Sequence, residues 1–329
     1  MNLTVIAAGA WGTALAIVFS ARHRVTLWTR EDEVTQTMLT ERENRQFFPG
    51  YRLPDALLIA TDFATAVRGA DLLIMATPLA GFRVTLRQLV DIQQIKPLLW
   101  VCKGMEADSA SLPHQIVAEE LGADVACGVL TGPSFAEEVA RGLPTAITLA
   151  ASNPEFARQT ALALHSARLR IYASDDVIGA EVGGAVKNVM AIATGICDGL
   201  GLGHNARAAL MTRGLAEITR LGVVLGGQPE TFMGLTGMGD LMLTCTGDLS
   251  RNRRVGLALA QGKKLGTILA DLGHVAEGVS TAREVARLAA QLGIEMPITQ
   301  AVDDILHHDV AAAVAVETLL SRDPKAETR

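Results

Sequence analysis

The stretch VIAAGAWGTALA, residues 5–16, decides the fold of this chain. An apolar run too short for anything but a strand ends near residue 7, and an alanine-rich segment that predicts a helix follows from about residue 11. Gly9 and Gly12 therefore fall in a strand-to-helix turn, where a dinucleotide pyrophosphate docks. The stretch matches two of the three glycines of G-x-G-x-x-G, because Ala7 occupies the first position. Taken alone, it is also compatible with a turn that binds nothing.

Beyond this turn, strands and helices alternate up to about residue 175. Short apolar runs predict strands at residues 3–7, 24–28, 57–60, 71–77, 97–102, 125–130, 145–149 and 169–172, and helical stretches lie between them, among them residues 11–21, 80–91 and 112–121. The alternation predicts an α/β fold with a doubly wound, Rossmann-type, mostly parallel sheet. We expect residues 1–175 to form a dinucleotide-binding domain.

From residue 176 onward nearly every segment predicts helix. We expect an all-helical C-terminal domain over residues 176–320 that carries substrate binding and catalysis, followed by a flexible tail at 321–329. Its first helix, residues 176–200, is apolar on almost all sides yet has Lys187 in its middle. An unpaired buried ammonium is costly, so Lys187 either snorkels out past its small neighbours or finds partners as a catalytic lysine.

Three turns have the composition to complete a site around this lysine. TGPSFA at residues 131–136 follows a strand and opens a short helix, so its amides can face an anion, although a structural Pro-Ser turn has the same pattern. GLTGMGD at 234–240 ends in Asp240, which is either a helix cap or the partner of a buried lysine. LSRNRR at 249–254 predicts a phosphate clamp at a helix start, with Arg253 and Arg254 facing water.

The residue that follows the second predicted strand bears on the choice of cofactor. An acid there hydrogen-bonds the ribose 2′-hydroxyl of NAD, whereas an arginine accommodates the 2′-phosphate of NADP. The chain has Arg30 at this place, followed by Glu31 and Asp32. We therefore expect NADP(H) to be preferred, with NAD(H) also used.

Composition excludes several classes of protein. The net charge of −6 argues against a general nucleic-acid or anionic-membrane binder, and no uninterrupted apolar run is long enough to predict a membrane span. The four cysteines stand singly, which predicts a reducing, cytoplasmic compartment without zinc or redox motifs. No metal is expected, because the histidines lack ligand spacing: His165, His204, His274, His307 and His308.

Together these segments resemble a known family. AGAWGTALA at 8–16, KGME at 103–106, GPSFAEE at 132–138, VKN at 186–188, GMGDL at 237–241 and SRNRR at 250–254 occur in the order found in bacterial NAD(P)-dependent glycerol-3-phosphate dehydrogenase. The pieces NRQFFPG at 44–50 and AEG at 276–278 fit as well. The resemblance covers residues 5 to about 285. It implies interconversion of sn-glycerol 3-phosphate and dihydroxyacetone phosphate, mainly as reduction that supplies glycerophospholipid synthesis.

The resemblance also implies roles for individual residues. Lys187 matches the general acid/base, and Lys103 and Asp240 match residues lining the substrate; all three are expected to be catalytic. Substrate contacts are implied for Lys103, Gly132, Ser134, Lys187, Asn188, Asp240, Thr244, Ser250, Arg251 and Asn252. Cofactor contacts are implied for Gly9, Ala10, Trp11, Gly12, Arg30, Lys103, Ala136, Arg251, Val275 and Glu277. If the methyl group at Ala7 is harmless, Ala7→Gly leaves cofactor affinity nearly unchanged.

Two rival functions remain open on the sequence. One is a dehydrogenase of the same two-domain plan that acts on a β-hydroxy acid or acyl thioester, although the basic cluster around Arg251 favours a phosphate monoester. The other is a nicotinamide-nucleotide sensor without catalysis, which would have no use for a buried lysine with an acidic partner. The apolar helices over residues 298–320 predict a homodimer, as the resemblance also implies.

Overall fold

The computed structural model describes residues 1–272 and 276–323. Within them lie ten strands: β1 Asn2–Ile6, β2 Arg24–Trp28, β3 Glu43–Asn44, β4 Phe48–Arg52, β5 Leu58–Ala60, β6 Leu72–Met75, β7 Leu98–Trp100, β8 Cys127–Thr131, β9 Thr145–Ala150 and β10 Leu169–Ser174. The eight predicted strands are confirmed. Sequence reasoning missed β3 and β4, which form a separate antiparallel hairpin. Their charged residues, proline and glycine lack the alternation that marks a strand.

The eight remaining strands form one sheet in the order β10-β9-β8-β7-β6-β1-β2-β5. All neighbours are parallel except β8 and β9, so the predicted doubly wound, mostly parallel sheet is confirmed. The chain leaves β1 toward β2 on one side and later returns through β6 on the other. The carboxyl ends of β1 and β6 therefore flank the topological switch point, where open α/β sheets bind ligands.

Helices cover both faces of this sheet. They are α1 Ala10–Ser20, α2 Asp32–Glu41, α3 Phe63–Arg68, α4 Leu79–Asp91, α5 Pro113–Leu121, α6 Ala136–Ala140 and α7 Pro154–Leu164. Alternate residues of one strand enter opposite cores: Val5 of β1 packs in one apolar cluster and Ile6 in the other. This two-sided burial explains why the strands read as continuous apolar runs.

In the described residues after Ser174, all regular structure is helical. The helices are α8 Val177–Gly199, α9 Gly203–Val224, α10 Pro229–Phe232, a π-helix at Leu235–Gly239, α11 Asp240–Thr246, α12 Arg251–Ala260, α13 Leu265–Leu272, α14 Glu277–Leu292, α15 Pro297–His307 and α16 Ala312–Leu320. The third apolar core is built around α8. Helix α8 is long and apolar enough to cross a membrane, but 89% of its apolar window is buried inside the protein, as in the central helix of a globular core.

Glycines let other elements approach the backbone of α8 closely. A Cβ atom on Gly195 of α8 would collide with the carbonyl oxygen of Arg253, and one on Gly256 of α12 would collide with that of Ile192. A Cβ atom on Gly183 would lie 2.6 Å from the carbonyl oxygen of Thr236 in the π-helix. Larger residues at these positions would push α12 and the π-helix away from the helix that carries Lys187.

Candidate active site

The turn after β1 is built by backbone geometry. Ala7 has a φ of 82°, in the left-handed region that favours glycine, and its N–H donates to the carbonyl oxygen of Trp28 over 2.8 Å. A Cβ atom on Gly12 would collide with the carbonyl oxygen of Ala7, whereas one on Gly9 would meet nothing within 4 Å. Gly12 thus permits close packing of α1 on β1, and the space beside Gly9 is open.

The predicted cofactor residues around this turn share one edge of the sheet. Ala10 and Trp11 are partly buried in the first turn of α1, whose leading N–H groups have no partner within the helix. Arg30 follows β2, which pairs with β1. The Arg30 side chain forms an ion pair of 3.5 Å with Glu31 but is 84% exposed, so it is accessible to an anionic ligand at this edge.

Three distant parts of the chain meet at a buried carboxylate. Lys103 follows β7, Lys187 lies on α8, and Asp240 begins α11. The Lys103 ammonium donates to Asp240 Oδ2 over 2.6 Å, and the Lys187 ammonium donates to Asp240 Oδ1. Lys187 also donates to the Thr244 hydroxyl over 2.9 Å, and that hydroxyl donates to the Asp240 carbonyl oxygen over 2.6 Å. Lys187 is 6% exposed, so the snorkelling alternative is wrong.

The charges of this cluster do not cancel. Two ammonium groups share one carboxylate, which leaves a surplus positive charge in a buried place when all three are ionised. Burial, opposed by Asp240 and reinforced by the charge of Lys103, lowers the pKa of Lys187 to about 7. Burial also disfavours the charged form of Lys103, but Asp240 outweighs it and raises the pKa of Lys103. Burial would raise the pKa of Asp240, yet its two lysine partners hold it below its usual range.

The wall beside Lys103 and Lys187 contains small and polar groups. A Cβ atom on Gly184 would lie 3.1 Å from the Thr131 hydroxyl and 3.7 Å from Lys103 Cδ. That hydroxyl and the hydroxyl of Thr77, which follows β6, are both buried and have no hydrogen-bond partner among the described residues. Sequence reasoning assigned no role to these two threonines, because a threonine at a strand end carries no signal of its own.

Asn188 of α8 and Asn252 of α12 both contact the start of α14. The Asn188 amide lies 3.5 Å from Glu277 Oε2, and Asn252 Oδ1 accepts from the N–H of Gly278 over 3.0 Å. Burial raises the pKa of Glu277, although the charges of Arg251, Lys103 and Lys187 oppose that rise. Glu277 therefore faces the same cluster of cations.

Helix α12 carries the predicted phosphate clamp at its N-terminus. The Ser250 hydroxyl caps it by accepting from the N–H of Arg253 over 3.2 Å, and Arg251 is exposed. The expectation that Arg253 faces water is wrong. Its side chain is 12% exposed and donates to Asp198 over 2.8 Å and to Asp248 over 3.0 Å. Arg253 thereby ties α12 to the end of α8, whereas Arg254 is exposed as expected.

The turn between β8 and α6 brings the remaining predicted residues to the same sheet edge. Gly132 has a φ of 140°, and a Cβ atom there would lie 3.0 Å from Ile147 Cα. The Ser134 hydroxyl donates to the Gly132 carbonyl oxygen over 3.1 Å, and Ala136 opens α6. The predicted contact Val275 lies outside the described residues.

Within the described ranges, one group of side chains has the spacing of a metal site. Asp303, Asp304 and His308 place one ligand atom each within 4.8 Å of the others. They lie on α15 and at its end, apart from the elements that carry Lys187 and Asp240. The spacing of the histidines alone does not indicate this group, because its other two members are Asp303 and Asp304.

Comparisons with known proteins agree with one another. Residues 2–157 match the family model described as NAD-dependent glycerol-3-phosphate dehydrogenase N-terminus, and residues 176–317 match the corresponding C-terminus model. A protein of Dechloromonas aromatica named glycerol-3-phosphate dehydrogenase (NAD(P)+) is 64% identical over 99% of each chain. One of the same name from Aromatoleum aromaticum is 61% identical over 99% of this chain and 100% of its own.

Solved structures give the same answer. The crystal structure of glycerol-3-phosphate dehydrogenase from Coxiella burnetii superposes with a TM-score of 0.93 at 42% identity, covering 98% of this chain and 99% of its own. Because both family models match and full-length relatives exceed 60% identity, this chain belongs to the NAD-dependent glycerol-3-phosphate dehydrogenase family.

Proposed function

We propose that this chain is an NAD(P)-dependent oxidoreductase that interconverts sn-glycerol 3-phosphate and dihydroxyacetone phosphate. The observation that carries this function is the buried Lys187, which is paired with Asp240 and Lys103. This cluster lies at the same edge of the sheet as the turn between β1 and α1, residues 7–12, which we call the dinucleotide turn. A nucleotide sensor has no need for such a cluster. Membership of the family argues against the hydroxy-acid and acyl-thioester rivals.

The residues around the first turn fit a dinucleotide. The close approach at Gly12 and the open space at Gly9 make a cradle for a pyrophosphate. The first N–H groups of α1, which have no partner within the helix, supply donors for it. The groups we assign to the cofactor are Gly9, Ala10, Trp11, Gly12, Arg30, Lys103, Ala136, Arg251, Val275 and Glu277. When bound, the nicotinamide supplies or accepts the hydride. We infer that NADP(H) is preferred because exposed Arg30 is available to a 2′-phosphate.

Lys187 is assigned the proton transfer. As hydride reaches C2 of dihydroxyacetone phosphate, negative charge develops on the carbonyl oxygen. A protonated Lys187 stabilises that charge and delivers its proton; in the reverse direction the neutral amine removes the hydroxyl proton. A pKa of about 7 suits both tasks, because each protonation state is then populated near neutrality. Asp240 and Thr244 hold the amine in place.

The substrate phosphate is assigned to the N-terminus of α12. Arg251 offers a planar fork of donors, and Ser250 and Asn252 flank it. The other substrate contacts in this proposal are Lys103, Gly132, Ser134, Lys187, Asn188, Asp240 and Thr244. Lys103 keeps its charge more readily than Lys187 and is therefore suited to binding anionic substrate rather than to proton transfer.

We also propose a two-domain division at residues 175/176, a homodimer and a cytoplasmic location. The division follows the change from sheet to helices.

The dimer is supported by apolar side chains exposed on α16, where Val314 is 57% and Leu320 70% exposed. Four free cysteines fit a reducing compartment. Light scattering coupled to size exclusion measures the mass, and a monomer at micromolar concentration would remove the dimer from the proposal.

One assay tests the enzymatic function. Purified protein is mixed with dihydroxyacetone phosphate and either NADPH or NADH, and the loss of absorbance at the reduced-nicotinamide band is followed. We expect turnover with both cofactors and no comparable turnover with unphosphorylated dihydroxyacetone. Binding of NADPH without oxidation would instead support the sensor, and equal reduction of dihydroxyacetone would remove the phosphate clamp.

A further inference from the structure

The hairpin formed by β3 and β4 has no role in the chemistry described above, yet it reaches the dinucleotide turn. Its contact residue is Asn44, which is 0% exposed. A buried amide side chain needs hydrogen-bond partners for its donors and acceptor. Two partners of Asn44, Ala8 and Thr13, lie beside Gly9 and Gly12.

The Asn44 side chain makes three hydrogen bonds, two of which tie the hairpin to the first turn. Its Nδ2 group donates to the Ala8 carbonyl oxygen over 2.6 Å and to the Thr13 hydroxyl over 2.9 Å. Its Oδ1 accepts from the N–H of Phe47 over 3.1 Å. The donors and the acceptor point to different partners, so the orientation of the amide is determined by its surroundings.

The Ala8 carbonyl belongs to the same peptide unit as the N–H of Gly9. In a planar trans peptide the carbonyl and the N–H point in opposite directions. When Asn44 holds the Ala8 carbonyl, the Gly9 N–H is therefore directed away from Asn44. The Thr13 hydroxyl also donates to the Ala8 carbonyl oxygen, over a longer 3.2 Å, and is itself held by Asn44. The orientation of the first amide in the open cradle thus depends in large part on a side chain from a different element.

This hydrogen bond matters because Ala7, the residue before Ala8, is strained. Ala7 adopts a φ of 82°, which an alanine reaches only at a cost. Relaxation at Ala7 would rotate the peptide units that follow it, including the one that carries the Gly9 N–H. Asn44 opposes that relaxation by binding the next carbonyl along the chain.

We propose that Asn44 is a positioning residue for the cofactor, which holds the Ala8–Gly9 peptide in the binding orientation against the strain at Ala7. The inference rests on the proposed binding of a dinucleotide at this turn. Asn44 touches no reacting group and acts through the backbone alone. Its loss therefore changes the affinity for the cofactor and leaves the chemical step intact.

The experiment measures NADPH affinity and steady-state constants on full-length protein. For Asn44→Ala we expect the Kd and KM for NADPH to rise about tenfold, the effect of losing one or two neutral hydrogen bonds. At saturating NADPH, kcat and the KM for dihydroxyacetone phosphate stay within about twofold of wild type. Asn44→Ser keeps a polar group in the site and provides the same readout if Asn44→Ala does not fold.

A control at an exposed asparagine separates positioning from general stabilisation. Asn153 caps α7 by accepting from the N–H groups of Glu155 over 3.0 Å and Phe156 over 3.1 Å. Asn153→Ala therefore removes side-chain hydrogen bonds elsewhere in the same sheet domain and is expected to lower Tm without changing the Kd for NADPH. If Asn44→Ala behaves in the same way, its role is structural and the inference fails.

A double-mutant cycle tests the link to Ala7. Glycine adopts positive φ without strain, so in an Ala7→Gly background the turn has less tendency to relax. Asn44→Ala raises the Kd for NADPH by one fold-change in the wild type and by another in the Ala7→Gly background. We expect the second fold-change to be at least three times smaller than the first. Equal factors would overturn the inference. If wild-type protein bound neither NADPH nor NADH, the proposed function itself would fail, which is a distinct result.

Discussion

The dinucleotide turn and the lysine cluster are built in different ways. The turn comes from contiguous residues and works through its backbone, with Gly12 permitting close packing and Gly9 leaving an open cradle. The lysine cluster comes from three separate parts of the chain and works through side chains that share the carboxylate of Asp240. We therefore expect changes near the turn to alter affinity by degrees, and changes in the cluster to abolish turnover or shift its pH dependence.

The largest effect is expected at Lys187. Lys187→Ala removes the proposed proton donor and should lower kcat by about 10²–10⁴-fold, the usual contribution of general acid catalysis. Cofactor affinity should stay near wild type, since the turn is untouched. Stopped-flow reduction and NADPH titration measure the two quantities. A variant with near-normal turnover would exclude Lys187 from the mechanism.

The pH dependence should separate the two directions of the reaction. Reduction needs the protonated amine, and the pKa of Lys187 lies near 7. The kcat/KM for reduction should therefore be flat below pH 7 and fall about tenfold per pH unit above it, while that for oxidation rises up to about pH 7 and levels off above it. Profiles between pH 5.5 and about 9 measure both limbs. Parallel profiles in the two directions would contradict this role.

Asp240→Asn provides the test of that assignment. The negative charge of Asp240 raises the pKa of Lys187, so removing that charge should move the midpoint of the reduction profile to lower pH. The same change leaves two buried ammonium groups without their counter-ion, which should cost about 3 kcal/mol of stability. Denaturant unfolding measures that loss. An unchanged midpoint in folded protein would mean that Asp240 does not set the pKa.

Arg251 joins the two regions, because it is assigned to both substrate and cofactor. Arg251→Ala should raise the KM for dihydroxyacetone phosphate about tenfold, the lower end for a charged hydrogen bond, since its side chain is exposed. Arg254 is exposed on the same helix and is the matched control. Equal effects of Arg251→Ala and Arg254→Ala would indicate only a general electrostatic attraction.

A smaller effect is expected at Arg30. The side chain is 84% exposed, so its interaction with a 2′-phosphate is well screened. Arg30→Glu should weaken NADPH binding about fivefold more than NADH binding. Competition titrations with the two cofactors give the ratio. Equal losses would show that Arg30 does not recognise the 2′-phosphate.

The smallest effect concerns the stability of the turn. Ala7→Gly relieves a left-handed conformation but adds freedom to the unfolded chain, and the two terms partly cancel. We expect a gain of about 0.5 kcal/mol in the free energy of unfolding. Urea unfolding measures it, with the midpoint and the slope compared between variants. A loss of stability would mean that the native turn tolerates the alanine without strain.

Features that depend on residues close together in the chain could be predicted from the sequence. The alternation of apolar segments determined the parallel sheet and the helical part that follows it, because each element's pattern is local. The glycines and Ala7 identified the first turn, and Arg30 indicated a cofactor preference. The isolated Lys187 in an apolar helix was recognisable because a buried charge demands a partner.

Only the tertiary structure decided which groups are partners. Asp240 is the counter-ion of both lysines. Arg253 forms an ion pair with Asp198, and the Asn44 amide donates to the Ala8 carbonyl oxygen. The pKa of Lys187 likewise depends on burial and on the difference between two nearby charges. Such contacts join residues far apart in the chain, and their energies depend on distance and on the exclusion of water, which no local pattern of residues encodes.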